Sequence, residues 1–575
     1  MGTHSKRLER KILQIGALVT VCFAVAACKT SYYHKKADKE VYQIIEDIEN
    51  QVFGKTNTFS IDTAFSSRKP SEIEPAEIIE SRQEAAKRKL NIEEALELAI
   101  QNSREFQTEK ERLYLSALSL SGERWEFSPQ FLARSTVARD RSSNGDQTGS
   151  VGSRVTVGQA LTTGASIGAT LANDLLRFYT GDPRRSAVST LSLNVVQPLL
   201  RGAGSAIARE GLKQAERDVI YAVRDFSQFQ MEFSVNIVSQ YFELLQQRDI
   251  VRNRFTDYES RTDATARLEG RFAAGLETAV GVGQARQAEL SSRNGYVNTV
   301  ANYETRIDQF KIQLGIPLTH ELQLDDSELA ALSEIGLLET TIDSTIAFGM
   351  SVTNHLQLLN DIDRFEDSRR QVKIVANRLK PGLDFFADAS LTSDRPTDYA
   401  NFDINDVRAG AGFEIDLPIN RFRERNQYRA TLVNFERSVR TLGLVLDQKR
   451  NFIERGLRTL TQLRENYRIQ TLAVALAEER VTSADLNIQA GRAVVRDLVE
   501  AQNELLAAKN SLSAALVDYL SARLQLFLDI GILNTESERY WLEPNPTTTT
   551  FSTKTEETVT TDDKAVTTPD ALFEE

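Results

Sequence analysis

Apolar side chains recur along this chain with two periods, and the two alternate. Val235, Val238, Phe242 and Leu245, and later Leu498, Leu505, Leu512, Leu516 and Leu520, fall three, four or seven residues apart, the spacing of helices packed along one stripe. The tracts that carry them hold no proline over 199–316 and 419–543, and are full of Ala, Leu, Gln, Glu and Arg, strong helix formers. Residues 212–269 also lack glycine; as one helix they span about 85 Å at 1.5 Å per residue. Period-two segments interrupt these tracts at 131–139, 151–159, 165–173 and 188–196, and again at 383–391 and 407–415, with Gly, Asn and Asp marking turns between them. In the last pair Leu383, Phe385, Ala387, Ala389 and Leu391 share one face, and Val407, Ala409, Ala411, Phe413 and Ile415 share another. A small, apolar face opposite a polar one suits a barrel wall between lipid and water or a strand of a soluble sandwich; periodicity does not separate the two.

The order helix, strands, long helix, turn, long helix occurs twice. Aligning Ala95 with Ala347 also brings Asn102 onto Asn354 and Pro129 onto Pro381; aligning Gly275 with Gly491 brings Ala285 onto Ala501, Asn294 onto Asn510, Tyr303 onto Tyr519 and Gly315-Ile316 onto Gly531-Ile532. A duplicated unit is one packing solution used twice. The expected division is a leader at 1–27, a charged tether with a short amphipathic helix (Val41, Ile44, Ile48, Val52) at 28–89, repeats at 90–320 and 321–543, and a tail at 544–575. The tail is rich in Thr, Asp and Glu and almost free of large apolar residues, a composition that cannot bury a core and predicts disorder.

The beginning of the chain changes the picture. Lys6, Arg7, Arg10 and Lys11 precede an apolar stretch that is too short to span a bilayer comfortably and ends in Val25-Ala26-Ala27-Cys28. Small residues before a cysteine resemble the lipobox of bacterial lipoproteins, which implies cleavage after Ala27 and acylation of Cys28, with no other cofactor. The other cysteine, Cys22, lies in the discarded segment, so no disulfide within the mature chain is expected. Lys29 in place of an aspartate favours sorting to the outer membrane. A net charge of −12, which becomes more negative once the basic leader is removed, argues against nucleic acid as a partner.

The segments Asn91-Ile92-Glu93-Glu94-Ala95-Leu96-Glu97-Leu98-Ala99, Gln197-Pro198-Leu199-Leu200-Arg201-Gly202 and Asp416-Leu417-Pro418-Ile419-Asn420-Arg421, in this order and with the turns at Gly275 and Gly491, resemble the TolC-type outer-membrane efflux protein family over about 90–533. Prolines 198 and 418 and arginines 201 and 421 share one offset. The resemblance implies a mainly helical fold with strands. Three subunits would close one β-barrel in the outer membrane and continue as an α-helical barrel through the periplasm. It further implies that the hairpin tips, Ala274-Gly275-Leu276 and Ala490-Gly491-Arg492, dock a periplasmic adaptor working with an inner-membrane pump. Asp497 and Glu500 stand where family members carry acidic rings at the entrance; the first half has Gly281 and Gln284 there, so one repeat alone would supply any ring. A barrel of two strands from each half leaves 151–173 over, either as longer strands or as an extra hairpin.

An enzyme finds little support. His4, His34, His320 and His355 lie in unrelated contexts, and Gly202-Ala203-Gly204 and Gly281-Val282-Gly283 do not complete a dinucleotide fingerprint. The rival is a structural lipoprotein, a periplasmic coiled-coil scaffold without a pore, for which the strand sets have no use. The expected function is therefore a passive outer-membrane duct of a tripartite efflux or type I secretion system.

Overall fold

A computed structural model describes residues 30–543 except 57, 144, 181–184, 339, 341, 395–400, 536 and 538. Cys28, the leader and the tail at 544–575 lie outside the described residues. Each repeat opens on two consecutive helices, α2 (Ile92–Asn102) and α3 (Arg104–Glu126) in the first, α7 (Ser344–Asn354) and α8 (Leu356–Asn377) in the second. The family-like opening segment is a capping box: Asn91 Oδ1 accepts from the Glu94 amide at 2.7 Å, and Glu94 Oε2 from the Asn91 amide at 3.1 Å. Asp343 does the same work in the second repeat, accepting from the Thr345 and Ile346 amides. Ser103 and His355 cap the following helices in turn.

A helix of 64 residues, α4 (Glu210–Ala273), and one of 68, α9 (Phe422–Gln489), run from the strands to the hairpin turns, each about 100 Å long. The returning helices α5 (Ala279–Gln313) and α10 (Val495–Ile530) have 35 and 36 residues and so cover only the distal half of each long helix; α3 and α8 cover the other half. At the junction, Gly315 and Gly531 take positive φ of 74° and 79°. A Cβ on Gly315 would overlap the Asn102 carbonyl, and one on Gly531 would come within 2.9 Å of the Asn354 carbonyl carbon. Both residue pairs of the repeat alignment therefore meet in the same contact.

The main core lies at this level, where Phe106, Leu113, Phe233, Tyr241, Phe242 and Phe310 pack with Leu524 and Trp541. The two-stranded parallel sheet β1 (Lys87–Leu90) and β6 (Glu321–Leu324) joins it, held by the Tyr241 hydroxyl, which donates toward the Leu90 and Asp325 carbonyls at 2.8 and 2.9 Å. A short helix, α6 (Ser327–Ile335), follows β6. The segment read as a tether carries a helix of 24 residues, α1 (Thr30–Phe53), docked on α3 and α4 through Val41, Ile44, Ile45 and Ile48.

The six alternating segments are six strands: β2 (Gln130–Arg141), β3 (Gln147–Ala160), β4 (Ser166–Phe178), β5 (Arg185–Pro198), β7 (Gly382–Thr392) and β8 (Arg408–Asp416). They form one antiparallel sheet in the order β2-β3-β4-β5-β7-β8. Residues 151–173 are thus an extra hairpin, inserted in the sheet between β2 and β5, and its turn rests on the Gln197 to Gly204 segment through Thr163. The sheet is open, with β2 and β8 as its edges.

Candidate functional site

Register sorts the sheet into two chemically distinct faces. One cross-strand row reads Phe131, Val157, Ala169, Leu193, Ala389, Ala409, and the next Ala133, Val155, Leu171, Leu191, Leu391. The two apolar sets of the second repeat lie on this same face, with Leu383 opposite Ile415 and Phe385 opposite Phe413. Phe131, Val137, Val155, Leu175, Leu193, Phe413 and Ile415 are exposed; a soluble sandwich would cover such a face with a second sheet. The opposite face carries rows such as Arg134, Arg154, Ala172, Thr190, Thr392 and Gln130, Gly158, Gly168, Asn194, Asp388, Gly410. These polar residues went unnoticed in the sequence, because the phase of each strand relative to its neighbour is set by pairing.

The strand-to-helix motifs fasten the sheet to the helices. Arg201 donates to Asp416 at 2.6 Å, tying the end of the first strand set to that of the second. Arg421 donates to the Leu379 carbonyl at 2.6 Å and the Pro418 carbonyl at 3.2 Å. Pro198 ends β5 opposite Asp384, and Gln197 donates to the Pro198 carbonyl at 2.7 Å.

At the far end the two hairpin tips sit side by side. Gly275 and Gly491 have φ of 76° and 69°, and Leu276 and Arg492 return amide bonds of 2.9 and 2.8 Å to the carbonyls five residues earlier, Arg271 and Asn487. Both are Schellman ends, which need the left-handed residue that glycine supplies. Ala274 and Ala490 are the preceding helix-end residues. Ala264, Leu268, Ala285, Ile488, Val495, Leu498 and Ala501 pack the hairpins together, and Arg267 pairs with Asp485 at 3.4 Å across them. Phe272, Leu276, Val280, Leu486 and Val494 leave apolar surface exposed around the turns; of these, the sequence reading named Leu276 alone.

Asp497 and Glu500 lie in the first two turns of α10, and each has a local partner. The Asp497 carboxylate accepts from the Val494 amide at 3.4 Å, capping its own helix. Glu500 pairs with Arg480 at 3.3 Å, and Arg480 also holds Glu504. Gly281 is buried, and a Cβ there would meet the Glu277 carboxylate of its own hairpin at 2.6 Å and Val495 Cγ2 of the second hairpin at 3.2 Å.

Solved structures with this fold are outer-membrane channels. VceC of Vibrio cholerae has 18% identity and a TM-score of 0.57, covering 76% of this chain and 96% of that one. The transmembrane-channel protein CusC has 12% identity and a TM-score of 0.57, covering 76% and 92%. The Campylobacter jejuni channel CmeC has 14% identity and a TM-score of 0.56, covering 78% and 87%. No protein-family model matches the chain, and no curated protein is similar to it in sequence.

Proposed function

We propose that this chain, which has the fold of the TolC-type outer-membrane channels, is the outer-membrane duct of a tripartite efflux or type I secretion assembly and performs no chemistry itself. The observation that carries the reading is the sheet: one exposed apolar face, one polar face, and two open edges, joined to helices about 100 Å long. With an even number of strands per subunit, β2 and β8 run antiparallel to each other. The β8 edge of one copy therefore continues the alternation onto β2 of the next, and cyclic closure removes every edge. Three copies of a six-stranded sheet make eighteen strands. At a spacing of about 4.8 Å and a tilt of about 40°, that barrel is about 36 Å across, against about 24 Å for twelve strands.

Cys28 fits an anchor in the same membrane. Glu40 and Tyr42 of α1 meet Ser121 and Tyr114 of α3, and Gln107 meets Ile61 beyond the end of α1, so the Thr30 end of α1 points toward the strands. The paired tips, with their exposed apolar rim, are the surface for a periplasmic adaptor, which connects the duct to an inner-membrane pump. A pore-free scaffold would have no use for a sheet whose apolar face lies bare.

Negative-stain images of the detergent-purified protein test this. Threefold hollow cylinders are expected; solid rods or compact particles would remove the duct. At the entrance, Asp497→Asn with Glu500→Gln is expected to raise single-channel conductance or weaken block by divalent cations. Unchanged values for both would show that the acids serve only the cap and the Arg480 pair.

A further inference from the structure

The apolar face of the sheet ends, at the margin away from the helices, in a row of guanidinium groups. Arg139 lies opposite Gly149, Gly149 opposite Arg177, and Arg177 opposite Arg185; by strand alternation all share the face of Val137, Val151, Leu175 and Ala187. Arg141 follows one step outward, opposite Gln147. All four arginines are exposed, and among the described residues none forms an ion pair. Asp140 and Asp174 project from the other face by the same alternation.

Like charges directly opposite one another in a sheet destabilise it, so Arg177 facing Arg185 asks for an anion. The row also has a built centre. The Tyr179 ring lies over Gly149, where a Cβ would come within 2.8 Å of it, with the Arg139 and Arg177 guanidiniums 5.8 and 5.3 Å from its centroid. Arg139 is further oriented by a 2.7 Å bond to Gln147 Oε1. An aromatic ring at the edge of an apolar band is the arrangement of a membrane interface.

Resting on the barrel reading above, we propose that this row binds the phosphate groups of lipid headgroups in the outer leaflet and so sets the depth of the barrel. The dimensions agree. From Ile167 to Arg177 along β4 is about 33 Å, or about 25 Å of height at a 40° tilt, the thickness of the apolar band of outer-membrane barrels. A free anion would have no reason to prefer the edge of an apolar band, whereas a lipid phosphate is delivered there by its own acyl chains. Planar guanidiniums suit phosphate oxygens better than point-charge ammoniums do.

The test uses the full-length protein in detergent and bis-phosphorylated lipid A as probe. It compares wild type with Arg139→Gln/Arg177→Gln/Arg185→Gln and with Arg134→Gln/Arg154→Gln, which removes charge from the polar face of the same sheet. The triple variant is expected to bind about a hundredfold more weakly, about fivefold per arginine, and the polar-face variant to bind as wild type does. Dephosphorylated lipid A should bind all three equally weakly. Equal binding of phosphorylated lipid by the triple variant and wild type, with hollow threefold particles intact, would overturn the arginine row and leave the channel standing. Displacement of the lipid by an equal concentration of inorganic phosphate would overturn the lipid as the ligand. Wild-type protein without hollow particles would overturn the channel and the row together.

Discussion

The two repeats are most alike at single residues where backbone meets backbone. Gly531 carries positive φ, and a Cβ there would come within 2.8 Å of the His355 amide nitrogen; Gly315 stands against Asn102 in the same way. Gly315→Ala or Gly531→Ala should therefore lower stability by at least about 1–2 kcal/mol. Gly443→Ala, inside α9 with open space around it, should raise it by about 0.5–1 kcal/mol; thermal melts of the three variants check this. His355 beside Gly531 is buried, and burial, with the Lys449 charge added and Asp529 opposing, pushes its pKa down to about 4. It is neutral in the fold, while the unfolded chain takes up a proton first, near pH 6.5. The stability it contributes is complete above pH 6.5 and is lost as pH falls toward 4, by up to about 3 kcal/mol. His355→Asn keeps an acceptor for the Leu358 amide and should flatten the melting temperature between pH 7 and 4.

Between elements, what locks the two repeats is a half-buried network from α4 to α8. The Tyr221 hydroxyl donates to Asp367 at 2.6 Å, Arg370 bridges Asp367 at 2.7 Å and Glu210 at 2.9 Å, Arg217 also contacts Asp367, and Arg224 reaches Asp363 at 2.6 Å. Burial and the Asp367 bond hold the Tyr221 hydroxyl far above its ordinary pKa, so it stays a donor. Asp367→Ala takes the acceptor from the Tyr221 hydroxyl and one carboxylate from Arg217 and Arg370, which keep Asp363 and Glu210, and is expected to cost about 1–3 kcal/mol, read as a lower denaturant midpoint; Asp361→Ala, one partly exposed pair at the edge of the same helix, should cost under about 1 kcal/mol. None of this network stood out in the sequence, where the two helices are separated by the whole first hairpin. The long helices did stand out: α4 runs two residues before and four beyond the glycine-free tract at 212–269.

For the whole molecule, the inserted hairpin sets the width of the sheet. β2 ends and β5 begins at the same margin, so replacing 142–184 by a two-residue turn removes β3 and β4 while keeping an even strand count and both faces in phase. The proposed trimer should then form with a barrel about two-thirds as wide, since diameter grows roughly linearly with strand number; image averages of the particles measure this. By itself, the sequence determined the periods of the long helices and of the six alternating strands, the duplication and the glycine turns, because these depend on residues a few positions apart or on a comparison of the chain with itself. It also carried enough ordered motifs for the resemblance to the channel fold. Only the tertiary structure decided the rest. The placement of 151–173 inside the sheet, the meeting of Asn102 with Gly315 and the Arg139, Arg177, Arg185 row all depend on which strand or helix end lies beside which. That choice is made by register and packing between segments distant in sequence, where alternation looks the same on either face.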